Sequence, residues 1–143
     1  MKKILIGAGL VLLAVVGWFA WMMLQPPPDD LDLRSSKPTD KGIYTVSFIP
    51  REGEPAVGPI AVWHVEVKNR DGVPVSGAEV LVDGGMPQHG HGLPTSPASQ
   101  GEVSPGVYEI DGMKFSMRGW WEFKLDIKGS DGDDTVTFNT VLE

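Results

Sequence analysis

The sequence predicts an all-β fold, a sandwich of two antiparallel sheets, behind one N-terminal transmembrane helix. Three observations carry this expectation. Residues 4–24 form an apolar run without charge or proline. Beyond residue 42, short segments alternate apolar and polar side chains, with Gly, Pro and Asp clusters between them, as strands on a half-buried surface do. No segment there sustains a helical apolar period, and 18 glycines with 12 prolines favour short strands over long helices.

The chain has 143 residues, enough for one core rather than two. Its formal net charge is -7, and its first 24 residues carry Lys2 and Lys3 but no acid. The rest of the chain is therefore acidic, a field that repels nucleic acid and anionic lipid and attracts cations. No nucleic-acid partner is expected. The absence of cysteine excludes disulfides, zinc-thiolate sites and thiol nucleophiles.

Taken in order, residues 4–24 are long enough as a helix to cross a hydrocarbon core about 30 Å thick. The run exceeds a signal-peptide apolar region and ends among Trp18, Phe19, Trp21, Met22 and Met23 rather than at a small-residue cleavage site, so an uncleaved anchor over residues 1–24 is expected. Lys2 and Lys3 would stay cytoplasmic and place the C-terminal domain on the outer, periplasmic side of the cell inner membrane. Residues 25–41 (QPPPDDLDLRSSKPTDK) read as a Pro-rich tether.

The domain is expected over residues 42–143. Ile43 to Ile49 alternates with Tyr44, Val46 and Phe48 on one face. Ile60 to Lys68 does the same with Ala61, Trp63, Val65 and Val67, which sends His64 to solvent. Asp71-Gly72 is a turn pair. Ala78 to Asp83 is a third strand, with Val80 and Val82 inward, that runs into the loop from Gly84 to Pro97. Residues 101–106 read as a turn cluster and Val107 to Ile110 as a strand. Trp120 to Lys128 alternates most clearly, with Trp121, Phe123, Leu125 and Ile127 inward. GSDGDD, residues 129–134, makes a polar hairpin turn rather than a calcium loop, because the EF-hand spacing is absent, and Thr135 to Leu142 closes the chain.

The residues that could carry chemistry gather in two places. GGMPQHGHGLPTSP (Gly84 to Pro97) holds Met86, His89 and His91, and GMKFSMRGWWEF (Gly112 to Phe123) holds Met113 and Met117. Two imidazoles two residues apart project to one side of an extended segment. Thioether sulfur selects Cu(I), and imidazole accepts either copper state, so a mixed set of Met86, His89, His91, Met113 and Met117 suggests a copper ion. His89 and His91 alone also suit nickel. The plainer readings are methionines that fill a core, or a metal-free loop that docks with Trp120 on a membrane complex. No nucleophile triad, phosphate loop or HExxH motif is present, so no enzyme is expected.

PVSGAEV (Pro74 to Val80), MPQHGHG (Met86 to Gly92), PGVYEIDGMKFSMRGWWEFKLDI (Pro105 to Ile127) and DTVTF (Asp134 to Phe138), in that order, resemble the YtkA-like and FixH-like family from about Ile60 onward. The resemblance implies a small anchored or secreted immunoglobulin-like β-sandwich. For FixH-like members it implies a role in assembling copper-containing respiratory oxidases beside a copper-transporting ATPase, which would give the five His and Met positions a metal role. Arg118 stands where relatives often carry a small residue or proline, and a cation there opposes metal binding.

Overall fold

Apolar alternation resolves into two packed antiparallel sheets in the computed structural model, which describes residues 2–23 and 25–143. A helix, α1 (Lys2–Met23), comes first. Among the described residues nine strands follow: β1 (Ser36–Pro38), β2 (Tyr44–Pro50), β3 (Ile60–Asn69), β4 (Glu79–Met86), β5 (His91–Gly92), β6 (Ala98–Ser104), β7 (Val107–Lys114), β8 (Gly119–Gly129) and β9 (Gly132–Leu142). One sheet has the order β1-β2-β3-β7-β6 and the other β5-β4-β8-β9.

The inward faces are those the alternation requires. Tyr44, Val46 and Phe48 from β2, Trp63, Val65 and Val67 from β3, Trp121, Phe123, Leu125 and Ile127 from β8, and Val136 and Phe138 from β9 are all buried. Each large side chain contributes on the order of 1.5–3 kcal/mol when fully buried. Phe48 contacts Phe123 and Phe138 across the sheets, with ring centroids 5.5 and 5.7 Å apart.

Two tyrosines lock the ends of the layers together. Tyr44 donates its hydroxyl to the Gly132 carbonyl at 2.7 Å and accepts from the Asp131 N–H at 3.2 Å, which fixes the β8–β9 turn onto the opposite sheet. Tyr108 donates to the Val75 carbonyl at 2.6 Å and accepts from the Ala78 N–H at 2.8 Å, which clamps the approach to β4. Gly106, in the β6–β7 turn, has φ +72, and a Cβ there would lie 2.8 Å from both the Val67 carbonyl and the Pro74 Cβ. Only glycine fits that turn without displacing its neighbours.

The structure departs from the sequence reading in several places. Ser36–Pro38, expected inside the tether, pairs with β2 from Ser36↔Ser47 to Pro38↔Thr45. Lys37 makes this possible for a polar segment: its ammonium sits 5.2 Å from the centre of the Phe138 ring and 3.2 Å from the Asp32 carboxylate, so its stem covers apolar surface while its charge is compensated. Ala98–Ser104, read partly as turn, is edge strand β6, with register shifts at two points against β7. Strand β4 continues through Gly84, Gly85 and Met86, residues expected in the loop. The hairpin turn expected over GSDGDD is present but shorter, with only Ser130 and Asp131 between the Gly129↔Gly132 pair, while Asp133 and the buried Asp134 belong to β9.

Met1 and Leu24, the two ends of the expected anchor, lie outside the described residues. Among the described residues, no helix is long and apolar enough to cross a membrane. What the structure places before the sandwich is one N-terminal helix whose apolar side chains from Leu10 to Leu13, with Trp18 and Trp21, are exposed.

Candidate functional site

The His-bearing stretch folds as a tight hairpin because its glycines let backbones come close. Met86 pairs with His91 and Gly85 with Gly92, leaving Pro87 to Gly90 as the turn, closed by N–H donation from His89 and Gly90 to the Met86 carbonyl at 3.0 and 2.9 Å. Gly90 has φ +67. A Cβ on Gly85 would lie 2.4 Å from the His91 carbonyl oxygen, and one on Gly84 would lie 2.7 Å from the Phe123 ring and from the Glu122 carbonyl. These two glycines therefore permit the strand to fold back on itself and to press against β8.

Topology brings the second segment to the same rim. β4 runs antiparallel to β8, with Gly84 opposite Phe123 and Gly85 opposite Glu122, so the end of β4 lies beside the start of β8. The Trp121 indole donates to the Met117 carbonyl at 3.1 Å, and the His91 ring meets the Trp121 ring edge-on at 6.0 Å. A Cβ on Gly119 would lie 3.1 Å from the Met86 methyl. His91 is near the sulfurs of Met86 and Met117.

The five expected donors divide by burial. His91 is exposed and Met117 is 42% exposed. His89 is half-buried, its ring 6.0 Å from that of His91 and nearly parallel to it. Two rings that share one ion through bonds near 2.0–2.1 Å have centroids within roughly 6.5 Å, so the distance admits a common ligand only with the two nitrogens on nearly opposite sides of it. The His89 Nδ1 is cut off from water and has no hydrogen-bond partner, whereas the His91 Nδ1 lies 3.1 Å from the Gly92 carbonyl. Met86 is 1% exposed, beneath the hairpin. Met113 is 0% exposed on β7, opposite Ala61; it packs in the core and does not reach the rim surface.

Among the described residues, no group of three or more His, Asp or Glu side chains could hold a metal ion. A metal here would depend on the histidine pair and thioethers. An open groove of about 450 Å³ runs beside the hairpin, lined by Asp83, Gly85, His91, Glu122 and Lys124 among others. The exposed Arg118 guanidinium follows Met117 directly.

Two other residues differ from their expected roles. His64, expected in solvent, is three-quarters covered; its Nε2 is 3.7 Å from the Glu109 carboxylate, which Arg51 also engages at 3.2 Å. Cross-strand pairing of His64 with Glu109 produces this, and the single-strand pattern could not show it. Trp120, offered as a docking handle, already donates its indole N–H to Asn139 Oδ1 at 2.9 Å.

Fold and rim together define the class: a small two-sheet β-sandwich domain with a histidine hairpin at one pole. The chain belongs to the YtkA-like family, whose match spans residues 37–126. That match begins inside β1, consistent with the inclusion of Ser36–Pro38 in the fold. Comparison with curated proteins finds no match, and comparison with solved structures finds none.

Proposed function

We propose that this YtkA-like domain binds copper at the rim where the β4–β5 hairpin meets the β7–β8 connection, with His89, His91 and Met117 as donors and Met86 beneath them. The observation that carries the reading is the near-parallel His89 and His91 pair, 6.0 Å between centroids, with the His89 Nδ1 buried and unpartnered. A buried polar atom without a partner calls for an unseen water or ion, and the donors around it are imidazole and thioether, a set that favours copper over calcium or magnesium. Copper bound there would be available for transfer to a membrane protein complex such as a respiratory oxidase or a copper-transporting ATPase.

The same proposal holds the domain to the periplasmic side of the cell inner membrane through the uncharged run of residues 4–24, which extends past the described end of α1. Leu10, Val11, Leu12 and Leu13 are consecutive and each more than 60% exposed, so apolar surface faces every side of the helix. A helix apolar all round belongs in a protein core or a bilayer, and the sandwich does not cover these residues.

Titration of the full chain in detergent with Cu(I) and with Cu(II) tests the copper reading. The expected result is an affinity at least tenfold above that of the His89→Ala/His91→Ala double variant in one of the two states. Equal affinities in both states end it.

A further inference from the structure

The pole that carries the histidine hairpin is also the pole at which the chain from α1 arrives. Gln88, in the hairpin turn, donates to the Pro26 carbonyl at 2.9 Å, and Pro26 is only three residues past the last helical residue, Met23. Three residues span at most about 10 Å. Farther on, Asn139 donates to the Asp32 carbonyl at 3.3 Å, and the Ser35 carbonyl accepts from Phe48 at 2.8 Å. The segment between helix and sandwich therefore passes along this pole before β1 begins.

Exposed apolar side chains stand at this pole beside charged ones. Ile60, paired with Lys114, is 61% exposed; Val57, bridged to Phe115, is 40% exposed; Met117 is 42% exposed. Phe115 packs edge-on against Trp121 at 5.3 Å, which places these residues and His91 at one end of the sandwich. Arg118 stands exposed among them, and the β2–β3 connection at the same pole adds the exposed Arg51, Glu52 and Glu54. The opposite pole presents the Asp71-Gly72 turn with the exposed Val73, and the Ser130–Asp131 turn with Asp133. Apolar side chains mixed with a cation suit the headgroup layer, where alkyl groups enter the acyl boundary and a guanidinium meets phosphate. What sets the histidine pole apart is that the chain from α1 arrives there, at Pro26 beside Gln88.

We propose that the pole bearing Val57, Ile60, Met117 and His91 lies against the headgroup layer of the membrane that holds α1, so that the histidine rim opens at the bilayer surface. This rests on the anchor reading and is independent of copper. The occupant of the pole is the zwitterionic lipid surface. An acidic domain does not need anionic lipid for this contact, because the geometry of the linker supplies the apposition.

The chain contains no cysteine, so Ile60→Cys, Val57→Cys and Ser130→Cys each create a single labelling site at an exposed position. Each full-length variant is labelled with a fluorophore and reconstituted, metal-free, in phosphatidylcholine vesicles containing a headgroup nitroxide quencher. The expected result is at least threefold stronger quenching at positions 57 and 60 than at 130. Equal quenching at all three positions, or stronger quenching at 130, in vesicles that float with the protein overturns the orientation and leaves the anchor standing. Failure of the protein to float with vesicles overturns both.

Discussion

Asp134 is 2% exposed, and its carboxylate accepts the backbone N–H groups of Lys41, Ile43 and Thr135 at 2.8–3.2 Å. Burial pushes its carboxyl group upward, but hydrogen bonds from the Thr39 hydroxyl and these N–H groups outweigh it, and the net shift is downward. Because the folded pKa is depressed, its stabilising contribution is present above the unfolded value near 3.9 and is lost as pH falls through the folded value. Urea unfolding of the full chain should show this as a fall in midpoint below about pH 4. The Asp134→Ala variant should lose about 1–3 kcal/mol at pH 7, since it orphans three donors, and should show a smaller acid dependence. Tyr108 titrates in the other direction: burial raises its hydroxyl, as does the Glu102 charge, against the lowering effect of the Ala78 hydrogen bond. Stability that depends on its protonated form is complete below about pH 10 and is lost as pH rises through the raised value. Tyr108→Phe should cost about 1–3 kcal/mol at neutral pH, because the Val75 carbonyl and Ala78 N–H lose their shared partner.

The β4–β5 hairpin is where the element scale matters, because its close approach depends on two missing side chains. Gly85→Ala places a methyl 2.4 Å from the His91 carbonyl, closer than any real contact, and backbone cannot yield as a flexible side chain can. The expected outcome is displacement of β5, about 1–3 kcal/mol of destabilisation, and loss of the His89–His91 stacking, read from the histidine ring shifts in NMR spectra. Gly90 tolerates a side chain sterically but not conformationally, since its φ is +67 with open space around it. The sequence made strands β2, β3 and β8 legible because their faces differ in polarity, and Trp121 to Ile127 recurs at every second position. It hid the last turn of β4, because glycine carries no side chain to alternate, and it hid β6, whose sequence ASQGEVS is exposed over most of its length. β1 was hidden because its polar residues join through backbone pairing and the coverage of Phe138 by Lys37. For the site, the two segments were legible as sources of donors, and antiparallel β4–β8 pairing brings their ends together. The division between rim and core was not: Met113 and Met117 look alike in sequence, yet one faces inward from β7 and the other lies in the connection after it.

At the scale of the whole molecule, the proposed copper site would link metal to folding, and that linkage separates a built site from a sequence that merely contains histidines. An ion that binds only the native state stabilises it by RT ln(1 + [L]/Kd), about 2.7 kcal/mol at a hundredfold excess over Kd. For a sandwich near 100 residues this raises the thermal midpoint on the order of 10 °C. The unfolded chain still contains His89-Gly90-His91, and any copper affinity that tripeptide retains would reduce the shift. The surviving increment measures what the fold adds: Met117 and Met86 brought to the histidine pair by β4–β8 pairing, and the fixed spacing of the two rings. The full chain should therefore melt several degrees higher with saturating copper than without. Met117→Leu, which keeps the volume of an exposed side chain, should lose part of that shift while melting normally without metal. If copper leaves the wild-type midpoint unchanged while a peptide spanning Met86 to Gly92 binds as tightly as the protein, the folded rim contributes nothing to metal binding, and the proposed copper site falls.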